Sequence, residues 1–140
     1  MNLPAVTPIT DLAPTLERLR AAQAANPPDL AQRRDDLQRL RRAFKARQQD
    51  MLDALNADFG NRSRHESLLT DAMTVLAEID HTCRRLKRWM KPQRRPVDWL
   101  FLPARAQIRF QPLGVVGIIA PWNYPVNLAL IPLVSASAGG

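Results

Sequence analysis

The chain has 140 residues, enough for one domain with a sizeable core, and its 46% apolar and 24% charged content excludes a disordered polyelectrolyte. Its single cysteine excludes an intramolecular disulfide, so nothing points to an oxidising compartment. The N-terminus lacks the basic cap and apolar run of a secretory signal, and we therefore expect a cytoplasmic location by default.

The formal net charge is +7, and basic residues are concentrated between Arg33 and Lys91. A surface of this kind could bind nucleic acid or an anionic membrane. Acids interrupt the basic runs, however, and no nucleic-acid-binding motif is present, so we favour arginines that coat the solvent side of helices. We expect neither nucleic acid nor membrane as a partner. A non-enzymatic basic helical module that binds an acidic partner remains the alternative.

The first ten residues should be frayed, and Thr10 is the predicted N-cap of a short amphipathic helix that carries Leu12, Leu16 and Leu19. Two prolines follow Asn26, which predicts the start of the next helix there.

The second helix is predicted to be long, because apolar residues recur from Leu30 to Leu55 with arginines on the other side. Gly60 should end it, since glycine best tolerates a left-handed C-cap. Ser63 and Glu66 then form a capping box that starts a third helix.

The third helix should bury one apolar stripe, because its apolar residues are spaced alternately by three and four. They are Leu69, Ala72, Leu76, Ile79, Cys83, Leu86 and Met90. Such a stripe is more typical of a helix packed on its own domain than of an intermolecular coiled coil. Cys83, inside the stripe, is an inert small hydrophobe rather than a nucleophile.

Two strands are predicted beyond Pro92. Residues 104–111 alternate between apolar and polar, which is typical of a half-exposed strand. Residues 115–120 are apolar throughout, which indicates a strand covered on both faces of a parallel sheet. A loop at 121–125 leads into a helix from Val126 to Ala138, which Pro132 should bend.

Residues 111–140 contain no charged side chain, which raises the possibility of a transmembrane span. The prolines of the 121–125 loop, together with Gly114 and Gly117, would interrupt such a span. A strand, loop and helix buried in an α/β domain accounts for both the composition and the interruptions.

Residues 121–125 read Pro-Trp-Asn-Tyr-Pro, and residues 112–119 before them read Pro-Leu-Gly-Val-Val-Gly-Ile-Ile. These segments resemble the aldehyde dehydrogenase superfamily. Residues 58–63, 77–80 and 87–92 are similar to its class-3-like branch and, within it, to the bacterial enzymes that oxidise coniferyl aldehyde. The resemblance covers roughly residues 29–134.

The resemblance implies an α/β fold in which N-terminal helices precede the first strand-loop-helix of an incomplete Rossmann-like cofactor domain. It divides the chain into an N-terminal extension with a short helix (1–28), the helical part of the cofactor domain (29–103), an oligomerisation-type strand (104–111) and a truncated first βα unit (112–140). The full-length protein would be a homodimer.

The implied activity is the oxidation of an aldehyde, aromatic in this branch, with NAD or NADP as the cofactor. In this family a cysteine attacks the aldehyde, and the resulting oxyanion collapses as hydride leaves for the nicotinamide. By resemblance, Asn123 is the catalytic amide donor of the oxyanion hole. The alternative is an asparagine that only bridges the backbone of the turn.

Four further residues would line the cofactor by resemblance: Ile119, Ala120, Pro121 and Trp122. Tyr124 and Leu128 would be walls of the aldehyde pocket, although core packing explains them almost as well. The family's nucleophile and general-base glutamate lie downstream of this segment, so the chain alone should be inactive. We expect no metal site, because His65 and His81 lack partners at metal-ligand spacing.

Overall fold

The structure, a computed structural model, describes residues 8–140 and consists mostly of helices with one two-stranded sheet. In chain order the elements are α1 (Ile9–Ala25), α2 (Leu30–Ala46), α3 (Gln48–Phe59), α4 (Arg64–Ser67), a π-helical turn (Leu68–Met73), α5 (Thr74–Trp89), β1 (Gln93–Arg95), a 3₁₀ turn (Trp99–Phe101), β2 (Ala106–Ile108) and α6 (Pro125–Gly139). The predicted fraying of the first ten residues falls largely on residues 1–7, outside the described part.

Two predicted helix starts were wrong. Thr10 lies inside the first turn of α1, where its hydroxyl donates to Asp11 at 3.2 Å, and Pro8 occupies the N-cap position. The cap of α2 is Asp29 rather than Asn26, because the Asp29 carboxylate accepts a hydrogen bond from the Gln32 backbone N–H at 2.8 Å. A carboxylate binds an orphan backbone donor and also favours the positive end of the helix dipole.

The predicted long second helix is two helices, which meet at Arg47. Arg47 has φ −109° and ψ 13°, outside the helical region, although no glycine or proline marks this position. The two helices pack on different partners, α2 on α5 and α6, and α3 on α4. Tertiary packing therefore overrides a uniform helical pattern. The predicted C-cap is confirmed at Gly60, which has φ 77°.

The rod formed by α4, the π-helical turn and α5 is continuous, because the backbone torsions at its junctions stay right-handed helical. The predicted apolar stripe is confirmed at Ala72, Ile79, Cys83 and Leu86, which are all buried. It is wrong at its ends, since Leu69 is 58% and Met90 38% exposed.

Val75, at 0% exposure, is buried more deeply than Leu76, which the stripe had included. The π-helical turn contains more residues per turn than an α-helix, so it shifts the phase of the buried face before α5 begins.

The core lies where α2, α5 and α6 meet. Its buried side chains are Leu37, Val75, Ile79, Cys83, Leu86 and Val134. Each large aliphatic side chain in such a core contributes about 1.5–3 kcal/mol relative to exposure. Cys83 is buried at 8% exposure, as its place in the apolar stripe predicts.

The sheet is a short antiparallel ribbon in which Gln93 pairs with Ile108 and Arg95 with Ala106. It confirms a strand within 104–111, but all residues of both strands are exposed rather than half-buried. The first strand, β1, was not predicted, because three residues are too few to display an alternating pattern.

The predicted buried strand at 115–120 is not present, because this segment has no regular secondary structure and Ile119 is 99% exposed. A central strand of a parallel sheet needs a hydrogen-bonding strand on each side. Within residues 8–140 the only sheet is the β1–β2 ribbon, which does not pair with this segment. The predicted helix after it is confirmed as α6, which contains Pro132.

Most arginine side chains are exposed on the surface, as expected, and some of them form ion pairs. Arg41 binds Asp80 at 2.8 Å, and this hydrogen bond and charge raise the pKa of Arg41 above its usual value. Arg33 is an exception to the predicted solvent-facing arginines, since it is only 7% exposed and donates to the Ala138 carbonyl at 2.9 Å. The positive charge of Arg33 complements the negative end of the α6 helix dipole.

Within residues 8–140, no helix has both the length and the apolar character needed to cross a membrane.

Candidate functional site

The predicted catalytic loop, residues 121–125, is fixed at the point where α6 begins. Pro125 lies in the first turn of α6, and Tyr124 occupies the N-cap position. The Tyr124 side chain forms no capping hydrogen bond. The cap comes instead from the π-helical turn, because the Asp71 carboxylate accepts from the Asn127 backbone N–H at 3.0 Å. Asp71 is completely buried. A carboxylate from a separate helix therefore satisfies an orphan donor of α6.

Asn127 adds a second connection between α6 and the rod. Its side-chain amide donates to the Thr70 carbonyl at 2.7 Å and to the Thr74 hydroxyl at 3.1 Å. With the backbone contact to Asp71, these bonds fix the first turn of α6 against the π-helical turn. Single π-helical turns are frequently found at functional sites.

Arg62 joins the turn before α4 to the predicted catalytic loop. One terminal nitrogen, Nη2, donates to Asp71 at 3.0 Å, and the other, Nη1, donates to the backbone carbonyl of Asn123 at 2.7 Å. The side chains of this ion pair are 6% and 0% exposed, so both charges are buried. The ion pair and the two hydrogen bonds offset the cost of burying these charges, although the buried Nε of Arg62 has no hydrogen-bond partner within residues 8–140.

Two aromatic rings cover the Arg62 guanidinium. Its central carbon lies 4.8 Å from the Phe59 ring centroid and 4.6 Å from that of Tyr124. The Tyr124 hydroxyl also donates to Glu66 at 3.3 Å. The predicted capping box is thus only half formed, because Ser63 accepts from the Glu66 N–H at 3.5 Å while the Glu66 carboxylate binds Tyr124.

The predicted site residues divide into two groups. Asn123 and Tyr124 lie around Arg62, and Trp122 lies beside them, with its ring centroid 6.5 Å from that of Phe59. Asn123 is exposed, and among residues 8–140 its side-chain amide takes part in no hydrogen bond. The other three predicted cofactor-lining residues are not held by these contacts, and each of them is exposed: Ile119, Ala120 and Pro121.

Leu128, the second predicted pocket wall, lies in the first turns of α6 and is 36% exposed. A separate cavity of about 600 Å³ lies between the end of α5, residues 110–116 and the end of α6. Trp89, Phe110 and Leu113 are among its lining residues, and none of the predicted site residues is.

Sequence reasoning missed the residues that hold the loop: Arg62, Asp71 and Asn127. One signal was present, because Asp71 precedes Val75 and Ile79 at intervals of four and so shares their buried face. A buried acid requires a partner, and an arginine nine residues earlier could have been considered. Nothing in the sequence indicates that Asn127 faces the rod.

The aldehyde dehydrogenase family model matches residues 13–140. The chain therefore belongs to the aldehyde dehydrogenase family, and the resemblance drawn from the 121–125 motif and the upstream segments is confirmed.

Among curated proteins, the chain is 46% identical over 133 residues to a probable coniferyl aldehyde dehydrogenase of Pseudomonas aeruginosa. This alignment covers 94% of the chain and 28% of that protein. It is 41% identical over 130 residues to aldehyde dehydrogenase family 3 member B1 of Homo sapiens, covering 92% of this chain and 28% of that protein. A solved structure of Staphylococcus aureus AldH in its substrate-bound state matches with a TM-score of 0.88 at 28% identity, covering 100% of this chain and 29% of that chain. The chain thus spans less than a third of the length of each relative.

Proposed function

We propose that the chain is the N-terminal portion of an NAD- or NADP-dependent aldehyde dehydrogenase that oxidises an aromatic aldehyde, such as coniferyl aldehyde, to the carboxylic acid. The similarity to a probable coniferyl aldehyde dehydrogenase over 94% of the chain supports this substrate class. The observation that carries the proposal is the exposed amide of Asn123 in a loop whose backbone is anchored to buried groups.

The proposed role of Asn123 is to donate a hydrogen bond to the oxyanion that forms when a thiolate attacks the aldehyde carbon. A neutral amide suits this role, because it stabilises developing negative charge and does not itself react or titrate. Its benefit depends on a fixed position, since a donor that must reorganise loses much of its advantage. Tyr124 and Leu128 are proposed walls of the aldehyde pocket.

Residues 119–122 fit one part of a dinucleotide site. They form an exposed, uncharged run that can contact a ring or ribose through apolar atoms and backbone. They supply no positive charge for a pyrophosphate, since residues 111–140 contain no Lys or Arg. A nicotinamide cofactor bound here would supply the acceptor for the hydride of the substrate. This chain would contribute the apolar wall beside it, from Ile119, Ala120, Pro121 and Trp122.

The finer architecture belongs to the same proposal. Residues 29–103 would be the helical part of the cofactor domain, and residues 115–120 would become a strand once neighbouring strands pair with them. Residues 104–111 would be the region shared between subunits of a homodimer, and the location would be cytoplasmic. The basic helical module is not favoured, because the family match includes the uncharged tail as well as the basic helices.

The test is a chimera in which this chain replaces the matching segment of the Pseudomonas aeruginosa relative. We expect it to oxidise coniferyl aldehyde with NAD or NADP, followed by the absorbance of the reduced nicotinamide. Asn123→Ala should lower kcat by about 100-fold or more, the usual loss for one oxyanion-hole donor.

Asn61→Ala is the matched control, because Asn61 is an exposed asparagine in the nearby turn. It should retain kcat within about twofold, as surface substitutions usually do. An Asn123→Ala chimera as active as the unmodified chimera would contradict the proposed function. The isolated chain should show no aldehyde oxidation.

A further inference from the structure

We propose that Arg62 is a positioning residue for the proposed reaction, which orients the Asn123 amide by holding the backbone carbonyl of the same residue. The inference rests on the proposed function of Asn123. It concerns a residue outside the 121–125 motif, separated from Asn123 by 61 positions in the sequence.

The hydrogen bond from Arg62 acts directly on the residue that carries the amide. Arg62 Nη1 lies 2.7 Å from the Asn123 carbonyl oxygen, a short distance for an N–H···O hydrogen bond. Fixing this carbonyl restricts the adjacent backbone torsions and therefore the direction of the Asn123 side chain. Within residues 8–140, Arg62 is the only residue whose side chain forms a hydrogen bond with Asn123.

Arg62 is itself held in place by the residues around it. Its side chain is 6% exposed, and one terminal nitrogen is paired with the Asp71 carboxylate, which is 0% exposed. The aromatic rings of Phe59 and Tyr124 both lie over its guanidinium. Tyr124 belongs to the loop, so the loop covers the same guanidinium that binds its carbonyl. A group held in this way transmits its position to the loop.

The geometry of this contact requires an arginine. The guanidinium presents two terminal nitrogens in a rigid plane, so it can bind the Asp71 carboxylate and the Asn123 carbonyl at once. A lysine would carry the same charge to Asp71 but, as a single ammonium, would not reproduce this planar fork or its stacking on aromatic rings. A lysine could form the ion pair with Asp71, but only an arginine can also hold the Asn123 carbonyl in this geometry.

The experiment is a double-mutant cycle in the chimera. Arg62→Lys keeps the charge beside Asp71, and we expect it to lower kcat about tenfold with little change in the KM for aldehyde, because small misplacements of a catalytic group are costly. In the Asn123→Ala background the same substitution should change kcat by less than about twofold, since the group it positions is gone.

Arg64→Lys is the matched control. Arg64 forms an exposed pair with Asp53 at 2.7 Å, with side chains 52% and 55% exposed. It should leave kcat unchanged in both backgrounds. Thermal unfolding of each variant separates a loss of fold from a loss of positioning.

A second variant covers the case in which Arg62→Lys fails to fold. Phe59→Leu removes one ring over the guanidinium at a site that is 37% exposed, and both hydrogen bonds of Arg62 remain. A lost cation–π contact corresponds to roughly a two- to fivefold effect. We expect a decrease in kcat of that size, again absent in the Asn123→Ala background.

The outcomes distinguish the two proposals. If Asn123→Ala has no effect on an active chimera, the proposed function fails. If Asn123→Ala lowers kcat 100-fold but Arg62→Lys or Phe59→Leu leaves kcat unchanged, or lowers it equally in both backgrounds, then the positioning role is wrong and the function of Asn123 stands.

Discussion

The uncharged C-terminal stretch contains two regions that are alike in composition but different in structure. Residues 112–120 have no regular secondary structure, and Leu113 and Ile119 are 94% and 99% exposed. Residues 125–139 form α6, and Val134 within it is completely buried. Neither region carries a charge, so hydrophobicity alone does not explain why one is packed and the other is not.

The difference lies in what each region can pair with. Helix α6 satisfies its own backbone hydrogen bonds, and its first turn is held by Asp71 and by the side chain of Asn127. A strand cannot satisfy its own backbone and depends on neighbouring strands. The comparison shows that apolar content alone does not fix this stretch, because α6 combines buried polar partners with the burial of Val134 in the core.

The largest effect is expected from Asp71→Asn, which removes the charge that supports both Arg62 and the start of α6. Breaking a buried ion pair leaves its partner uncompensated and costs about 3–5 kcal/mol. The free energy of unfolding from urea titration of the chain measures this loss.

The matched control is Asp53→Asn, because the Asp53–Arg64 pair is about half exposed. Exposed pairs contribute about 0.2–1 kcal/mol. Equal losses for the two substitutions would mean that the buried pair is not what holds α6 on the rod.

A second test compares one isoleucine from the core with one from the exposed segment. Ile79→Ala should lower the free energy of unfolding by about 2–5 kcal/mol, since Ile79 is completely buried. Ile119→Ala should change it by less than about 0.5 kcal/mol, because that side chain is 99% exposed. Differential scanning fluorimetry ranks the two variants, and a destabilised Ile119→Ala would show that residues 112–120 are packed in solution.

The sequence predicted the end of α3 at Gly60, where glycine tolerates the positive φ, and a helix after the 121–125 loop. It placed the starts of α1 and α2 wrongly, at Thr10 and Asn26. It failed at Arg47 and at residues 115–120, where the outcome depends on packing partners distant in sequence. Motif reasoning singled out Asn123 but not Arg62, since a contact across 61 residues leaves no pattern in the sequence of one chain.

Amide hydrogen exchange of the chain, resolved by residue, tests the central distinction most directly. We expect strong protection from Asn127 through Val134 and exchange near the unstructured rate for residues 115–120 in the same sample. Protection of residues 115–120 equal to that of α6, or loss of protection at Asn127, would contradict a loop and helix fixed by Asp71 and Arg62.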